Sequence, residues 1–98
     1  MIVGFCQIDI YLPESKSLKD KRASVKKIIE RTKNRFNVSI AEVEDNQLWQ
    51  RTKIGIATVG NGTDFVRSTI DSVIKFITDL QVGEVIDTDM EITSLKPL

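Results

Sequence analysis

Two stretches of this sequence repeat their apolar residues at the spacing of an α-helix, and stretches of alternating pattern lie before, between and after them. The first runs from Leu18 to about Phe36, and the second runs from Thr63 to Leu80. Their buried faces are predicted to carry Val25, Ile28, Ile29, Thr32 and Phe36 in the first helix, and Val66, Ile70, Val73, Ile74, Ile77 and Leu80 in the second. Each helix therefore needs a second layer against which to bury its apolar face.

The predicted helix ends have recognisable signals. Ser17 is a good N-cap, and Asp20 three residues later gives a capping-box arrangement. The second helix is predicted to begin with Thr63 as its hydroxyl cap and Asp64 as an early acid, and to stop at Gly83.

Four stretches predict strands: Ile2–Leu12, Val38–Val43, Arg51–Val59 and Glu84–Leu95. On the first strand the alternation directs Gly4, Cys6, Ile8 and Ile10 to one face, and Phe5, Gln7, Asp9 and Tyr11 to the other. On the last strand, Ile86, Met90 and Ile92 are predicted to face inward. The order along the chain is then β-α-β-β-α-β.

Two right-handed crossovers in that order predict a ferredoxin-like α+β plait, with a four-stranded antiparallel sheet and two helices on one face. The expected strand order is fourth, first, third, second, and residues 1–98 are expected to form a single domain. This fold is shared by enzymes, RNA readers and regulatory modules, so function must be argued from particular residues.

The chain lacks the residues that most kinds of catalytic site need. The chain has no histidine, which excludes Ser-His and Cys-His pairs and imidazole metal ligands. Acylphosphatases share the plait but need an arginine-bearing, glycine-rich loop after the first strand, and the corresponding turn here is LPESKS. Cys6 lies on the predicted core face and has no partner for a disulfide, which fits a reducing cytoplasm. We therefore expect a cytoplasmic protein with no enzymatic activity and no cofactor.

The predicted open face of the sheet allows three interpretations. Asp9, Asp87, Asp89 and Glu91 share it, and such carboxylates can hold Mg²⁺ or Ca²⁺, although a solvated surface facing Arg51 and Lys53 is the favoured interpretation and no metal site is assigned. Base stacking there is disfavoured, because only Phe5 and Tyr11 offer rings. The small residues Ser39, Ala41, Gly55 and Ala57, beside Val43 and Phe5, suit contact with a second copy of the chain. The alternative function is therefore a dimeric protein-interaction or regulatory domain with no nucleic acid.

The strongest functional signal is charge. Residues 14–36 hold nine Lys and Arg against three acids in a chain whose formal net charge is zero. At about 100° per residue, Lys19, Arg22, Lys26 and Lys33 fall within a sector about 60° wide on the first helix. Together with Lys16 and Lys21 near the helix start, they are the predicted contacts to RNA phosphates. The alternative is that lysines merely keep this helix soluble.

Three segments carry a family resemblance: Ser17-Leu18-Lys19-Asp20-Lys21-Arg22, then residues 41–51 (AEVEDNQLWQR), then Glu84-Val85 with Asp89-Met90-Glu91-Ile92. They resemble the YlxP-like family of small bacterial proteins, a domain of unknown function. The resemblance implies the same ferredoxin-like fold, no assigned catalytic residues, and, because members are often encoded beside translation and ribosome-maturation genes, a role near RNA or the ribosome. Asn46 departs from the family pattern, in which an acid is expected.

The Leu-Trp pair of the second segment also has a structural interpretation. Leu48 and Trp49 are expected to anchor the hairpin against the core, and Arg51 to pair with a neighbouring acid. If the indole is buried, Trp49→Ala is expected to cost several kcal/mol of stability.

Overall fold

A computed structural model describes residues 1–96 and contains six elements. Their bounds are β1 Ile2–Tyr11, α1 Leu18–Arg35, β2 Ser39–Glu44, β3 Arg51–Gly60, α2 Thr63–Leu80 and β4 Glu84–Ser94. The strands form one four-stranded antiparallel sheet in the order β2-β3-β1-β4. The predicted ferredoxin-like α+β plait and its strand order are confirmed. Neither helix in the described residues is long and apolar enough to cross a membrane.

The core lies between one face of the sheet and the two helices. It is formed by alternate residues of the strands and by one stripe of each helix: Cys6, Ile8, Ile10, Leu12, Ile40, Ile54 and Ile56 from the sheet side, and Val25, Ile28, Val66, Val73 and Ile77 among those from the helices. The closest approach is at Gly4, where an added Cβ would be 2.4 Å from Cγ1 of Val66. Phe36 and Phe76 meet edge to face at 5.5 Å and join the two helices.

Both helices have the predicted bounds to within one residue, and the N-cap of α1 is as predicted, but the residues that cap the two ends of α2 are not. Ser17 Oγ accepts a hydrogen bond from the backbone N–H of Asp20 at 3.0 Å. In α2 the N-cap is Gly62, with no side-chain hydrogen bond, so Thr63 is not the cap. The helix ends at Leu80, before Gly83, because Gln81 takes a left-handed conformation with φ 54°.

Two β-bulges change which residues face the core. In the β1–β4 pairing, Asp9 lies opposite Asp87 but Ile10 lies opposite Val85, so Ile86 is the extra residue. Ile86 is 50% exposed, and its predicted inward orientation is wrong. Val85 packs against the core in its place, while Met90 and Ile92 face inward as predicted.

The second bulge lies on β2, between Glu42 and Glu44, and makes Val43 the extra residue there. Val43 covers Gly55 on the open face, where an added Cβ would come within 2.7 Å of the valine side chain. Glu42 remains on the helix side of the sheet, with its side chain towards α1. That orientation places a carboxylate beneath the most basic helix of the protein.

Candidate nucleic-acid interface

A groove runs between α1 and the edge strand β2. Its volume is about 450 Å³, and it is lined by Arg22, Val25, Lys26, Ile29, Glu30, Lys33 and Glu42. Three of the predicted phosphate-binding residues, Arg22, Lys26 and Lys33, therefore lie around the same groove. Val25 and Ile29 give it an apolar floor. We call this feature the α1–β2 groove.

The cations around the groove are exposed and little neutralised. Lys16, Lys19, Arg22 and Lys33 are exposed, and none has an ion-pair partner among the described residues. Lys26 lies 3.9 Å from Glu30, but both side chains are largely in solvent. A pair of that kind contributes little, because water and salt screen it. The positive charge of this flank is therefore available to a ligand.

Lys21 does not belong to this exposed set. Its side chain is only 1% exposed, and Nζ lies 2.9 Å from Glu42 Oε2. Nζ also donates a hydrogen bond to the backbone carbonyl of Asp45. The prediction that Lys21 contacts phosphate is wrong, because its position on α1 shares the buried face with Val25, one helical turn further on.

Glu42 is held from both sides. Its Oε2 accepts a hydrogen bond from the hydroxyl of Thr52 at 2.6 Å, in addition to the ion pair with Lys21. Because Glu42 lines the α1–β2 groove, its charge would oppose a phosphate there. The buried ammonium of Lys21 neutralises the charge of Glu42.

The loop between β2 and β3 differs most from expectation. Leu48 and Trp49 are 48% and 55% exposed, so they do not anchor the hairpin against the core. Gln50 makes that attachment, since its backbone carbonyl accepts a hydrogen bond from the N–H of Leu12 at 2.8 Å. Aromatic character alone favoured burial of Trp49, and the polar residues before it (EDNQ) were the signal for a loop tip.

The open face of the sheet carries paired charges and a second groove. Arg51 is 2.7 Å from Asp9, which confirms the predicted pairing of Arg51 with an acid. Within residues 1–96, no three His, Cys, Asp or Glu side chains lie close enough together to hold a metal ion. A groove of about 420 Å³ crosses this face between Phe5 and Val43, which are 41% and 45% exposed.

Cys6 lies under the same sheet, on the core side, and is buried. Burial raises the pKa of its thiol above the ordinary value of 9.0, and the negative charges of Asp89 and Asp71 act in the same direction, while a hydrogen bond from the backbone of Asp89 opposes them. A thiol held neutral in this way is a poor nucleophile.

Comparison with known proteins adds a family but no activity. Residues 3–90 match the model of the family described as "Protein of unknown function (DUF503)". The chain is 38% identical over 76 residues to "Uncharacterized protein YlxP" of Bacillus subtilis (strain 168), covering 78% of this chain and 83% of that protein. Among solved structures it resembles the de novo designed protein Foldit4, with a TM-score of 0.51, 13% sequence identity and coverage of 97% and 98% of the two chains. The last similarity concerns the fold alone.

Proposed function

The chain belongs to the DUF503 family of proteins of unknown function, and from its geometry we propose that it is a cytoplasmic, non-enzymatic module that docks on structured RNA or a ribosomal particle. The docking surface is the α1–β2 groove with the exposed cations beside it: Lys16, Lys19, Arg22, Lys26 and Lys33. The observation that carries the proposal is the exposure of these cations along one flank, with a single weak ion pair among them in the described residues.

The dimensions of the flank suit a phosphate backbone. From Arg22 to Lys33 it extends about 16 Å along the helix axis. Arg22 can hold two oxygens of one phosphate in a bidentate contact, whereas the lysines act as point charges that tolerate small shifts of the strand. Contacts of this kind supply affinity and orientation without reading base sequence.

Filter binding of ribosomal RNA fragments tests this proposal. The test variant is Lys26→Glu/Lys33→Glu, which reverses two charges of the groove. The control variant is Lys27→Glu/Arg31→Glu, which makes the same change in net charge on exposed residues of the opposite flank of α1. We expect the test variant to lose most of the affinity and the control to keep it.

The salt dependence provides a second reading of the same experiment. With about four phosphate contacts, raising monovalent salt from about 50 to 200 mM should weaken wild-type binding by about 50- to 150-fold, because neutralised phosphates release counterions. Equal affinity in wild type and test variant would reject the groove as the RNA site. Equal loss in both variants would show that binding follows net charge alone.

A second candidate function is favoured by the exposed Phe5 and Val43 of the open face. A second copy of the chain stacked on this face would bury both side chains. Light scattering should then give twice the monomer mass, and Ala57→Lys, which places a charge opposite Phe5 in the sheet register, should halve it. A monomeric mass for the wild type would exclude this candidate. The α1–β2 groove lies on the helix side, so RNA binding should survive Ala57→Lys.

A further inference from the structure

Trp49 is exposed at a place where nothing in the fold requires a large aromatic residue. It is the single tryptophan of the chain and is 55% exposed. Within residues 1–96, its ring has no aromatic or cation–π partner, and its indole N–H has no hydrogen-bond acceptor. Solvation of so much apolar surface is unfavourable, and exposed tryptophans are frequent where a protein binds a partner.

The loop that carries Trp49 is tied to the segment that opens α1. The side-chain amide of Gln50 donates hydrogen bonds to the carbonyls of Pro13 at 3.3 Å and Ser15 at 3.1 Å. Four residues before Trp49 in the same loop, the carbonyl of Asp45 accepts a hydrogen bond from the buried ammonium of Lys21. The loop that carries Trp49 is therefore held at the start of α1 and at the end of β2, which is the Arg22 end of the α1–β2 groove.

We propose that the indole of Trp49 stacks on an unpaired nucleobase of the RNA whose phosphates lie along the α1–β2 groove. This inference rests on the proposed function and makes it more specific, because it requires the bound RNA to be single-stranded where it passes the start of α1. A duplex keeps its bases stacked on one another and offers the indole no free face.

The surroundings of Trp49 favour a nucleic acid over a protein. The adjoining segment exposes the cations Lys16 and Lys19 together with the acids Glu14 and Asp20, of which Asp20 accepts a hydrogen bond from the backbone N–H of Lys16. Lysine is depleted in the cores of protein–protein interfaces. An exposed aromatic ring at one end of a groove lined by Arg22, Lys26 and Lys33 suits a single-strand site, in which phosphates provide the salt-dependent attraction and stacking provides a contribution that salt does not screen. Stacking of this kind also tolerates any base.

The fluorescence of Trp49 can be used to detect stacking of a base on its indole. The protein is titrated with an oligouridylate of about 12 nucleotides, a length within the usual range of single-strand sites, and with an RNA duplex of the same length, while tryptophan fluorescence is recorded. We expect the single strand to quench the emission and the duplex to leave it nearly unchanged. Affinities for both RNAs are measured in parallel by filter binding.

Three variants separate stacking from phosphate contact. Trp49→Ala should weaken binding of the single strand by about 5- to 150-fold, the equivalent of one stacked base. It should leave duplex binding unchanged, and Trp49→Phe should recover part of the single-strand affinity. Phe65→Ala is the matched control, because Phe65 is 63% exposed but lies in the first turn of α2, and it should bind like the wild type.

The two proposals fail differently. If the single strand binds in a manner that depends on Lys26 and Lys33, but without quenching and equally well in Trp49→Ala, the stacking inference is overturned and the phosphate groove stands. If neither RNA binds, both proposals are overturned. The inference is supported if the single strand quenches the wild-type emission, if Trp49→Ala loses affinity for it, and if Phe65→Ala keeps that affinity.

Discussion

The buried ion pair between α1 and β2 allows the sharpest test of how this fold is held together. Replacing Lys21 with Met fills a similar volume but removes the ammonium group that lies 2.9 Å from Glu42. The carboxylate of Glu42 would then keep only the hydroxyl of Thr52 as a partner. The carbonyl of Asp45 would also lose its donor, so the β2–β3 loop would lose one of its attachments to the start of α1 and keep those of Gln50.

The magnitude follows from the burial of the two partners. Removing one partner of a buried ion pair typically costs about 3–5 kcal/mol, because the remaining charge is left in a poorly solvated position. The side chain of Glu42 is 17% exposed, so water can reach it in part, and we expect a loss of about 2–4 kcal/mol for Lys21→Met. That is a large fraction of the about 5–15 kcal/mol by which a domain of this kind is stable.

Urea denaturation of a double-mutant cycle measures this effect. Glu42→Gln alone should cost at least as much as Lys21→Met, because it leaves the ammonium of Lys21, only 1% exposed, with neutral acceptors and no counter-charge. The variant Lys21→Met/Glu42→Gln should recover at least about 1 kcal/mol relative to Lys21→Met, since no unpaired charge remains. A loss below about 1 kcal/mol in Lys21→Met would refute the reasoning, since it would mean that Glu42 is solvated without its partner.

The remaining predictions concern packing, the thiol and the exposed indole. Gly4→Ala should destabilise the protein by about 1–3 kcal/mol in urea, because the new methyl group meets the buried side chain of Val66, whereas Gly62→Ser, where an added Cβ meets nothing within 4 Å, should change stability by less than about 1 kcal/mol. The thiol of Cys6 should react slowly with a thiol reagent at pH 8 until the protein unfolds. The pKa of Cys6 is raised on folding from 9.0, so the contribution of this thiol to stability is fully present below pH 9 and is lost as pH rises through the folded value. In Cys6→Ala this pH dependence of stability should be absent. Trp49→Ala should cost less than about 1 kcal/mol, because the indole is 55% exposed, and a larger loss would show that the ring has a structural role.

The fold was predictable because its two periodicities are clean. Apolar residues at helical spacing and at alternate positions define the six elements, and the right-handed crossover rule then leaves one common strand order. The prediction failed where a local irregularity shifts the pattern. In β4 the apolar residues alternate in the sequence as in a regular strand, but a bulge adds one residue to the pairing and turns Ile86 outward. Nothing in the sequence marks the position of that extra residue.

The candidate site was predictable only in part, for a different reason. Helical geometry places Lys19, Arg22, Lys26 and Lys33 on one flank whatever their surroundings are. Helical spacing also places Lys21 on the buried face with Val25. The partner that makes a buried lysine tolerable there, Glu42, belongs to another element, and its side chain reaches α1 only in the folded sheet. The exposure of Trp49 likewise depends on how its loop is tied to the start of α1, a contact distant in sequence.

The distribution of charge over the fold explains how a protein of zero formal net charge could select one orientation on a polyanion. The cations of α1 lie on the helix side, whereas Asp87, Asp89 and Glu91 are exposed along β4, which forms the opposite edge of the sheet from β2. If the chain binds RNA as proposed, a phosphate backbone would be attracted to the first surface and repelled by the second, and both forces would turn α1 toward it before contact. Reversing Asp89 and Glu91 to Lys should accordingly strengthen binding to the duplex and to the single strand alike. In the protein with these reversed acids, the further change Lys26→Glu/Lys33→Glu should reduce the affinity by less than it does in the wild type. If the reversal left both affinities unchanged, the acidic edge would have no part in orienting the protein.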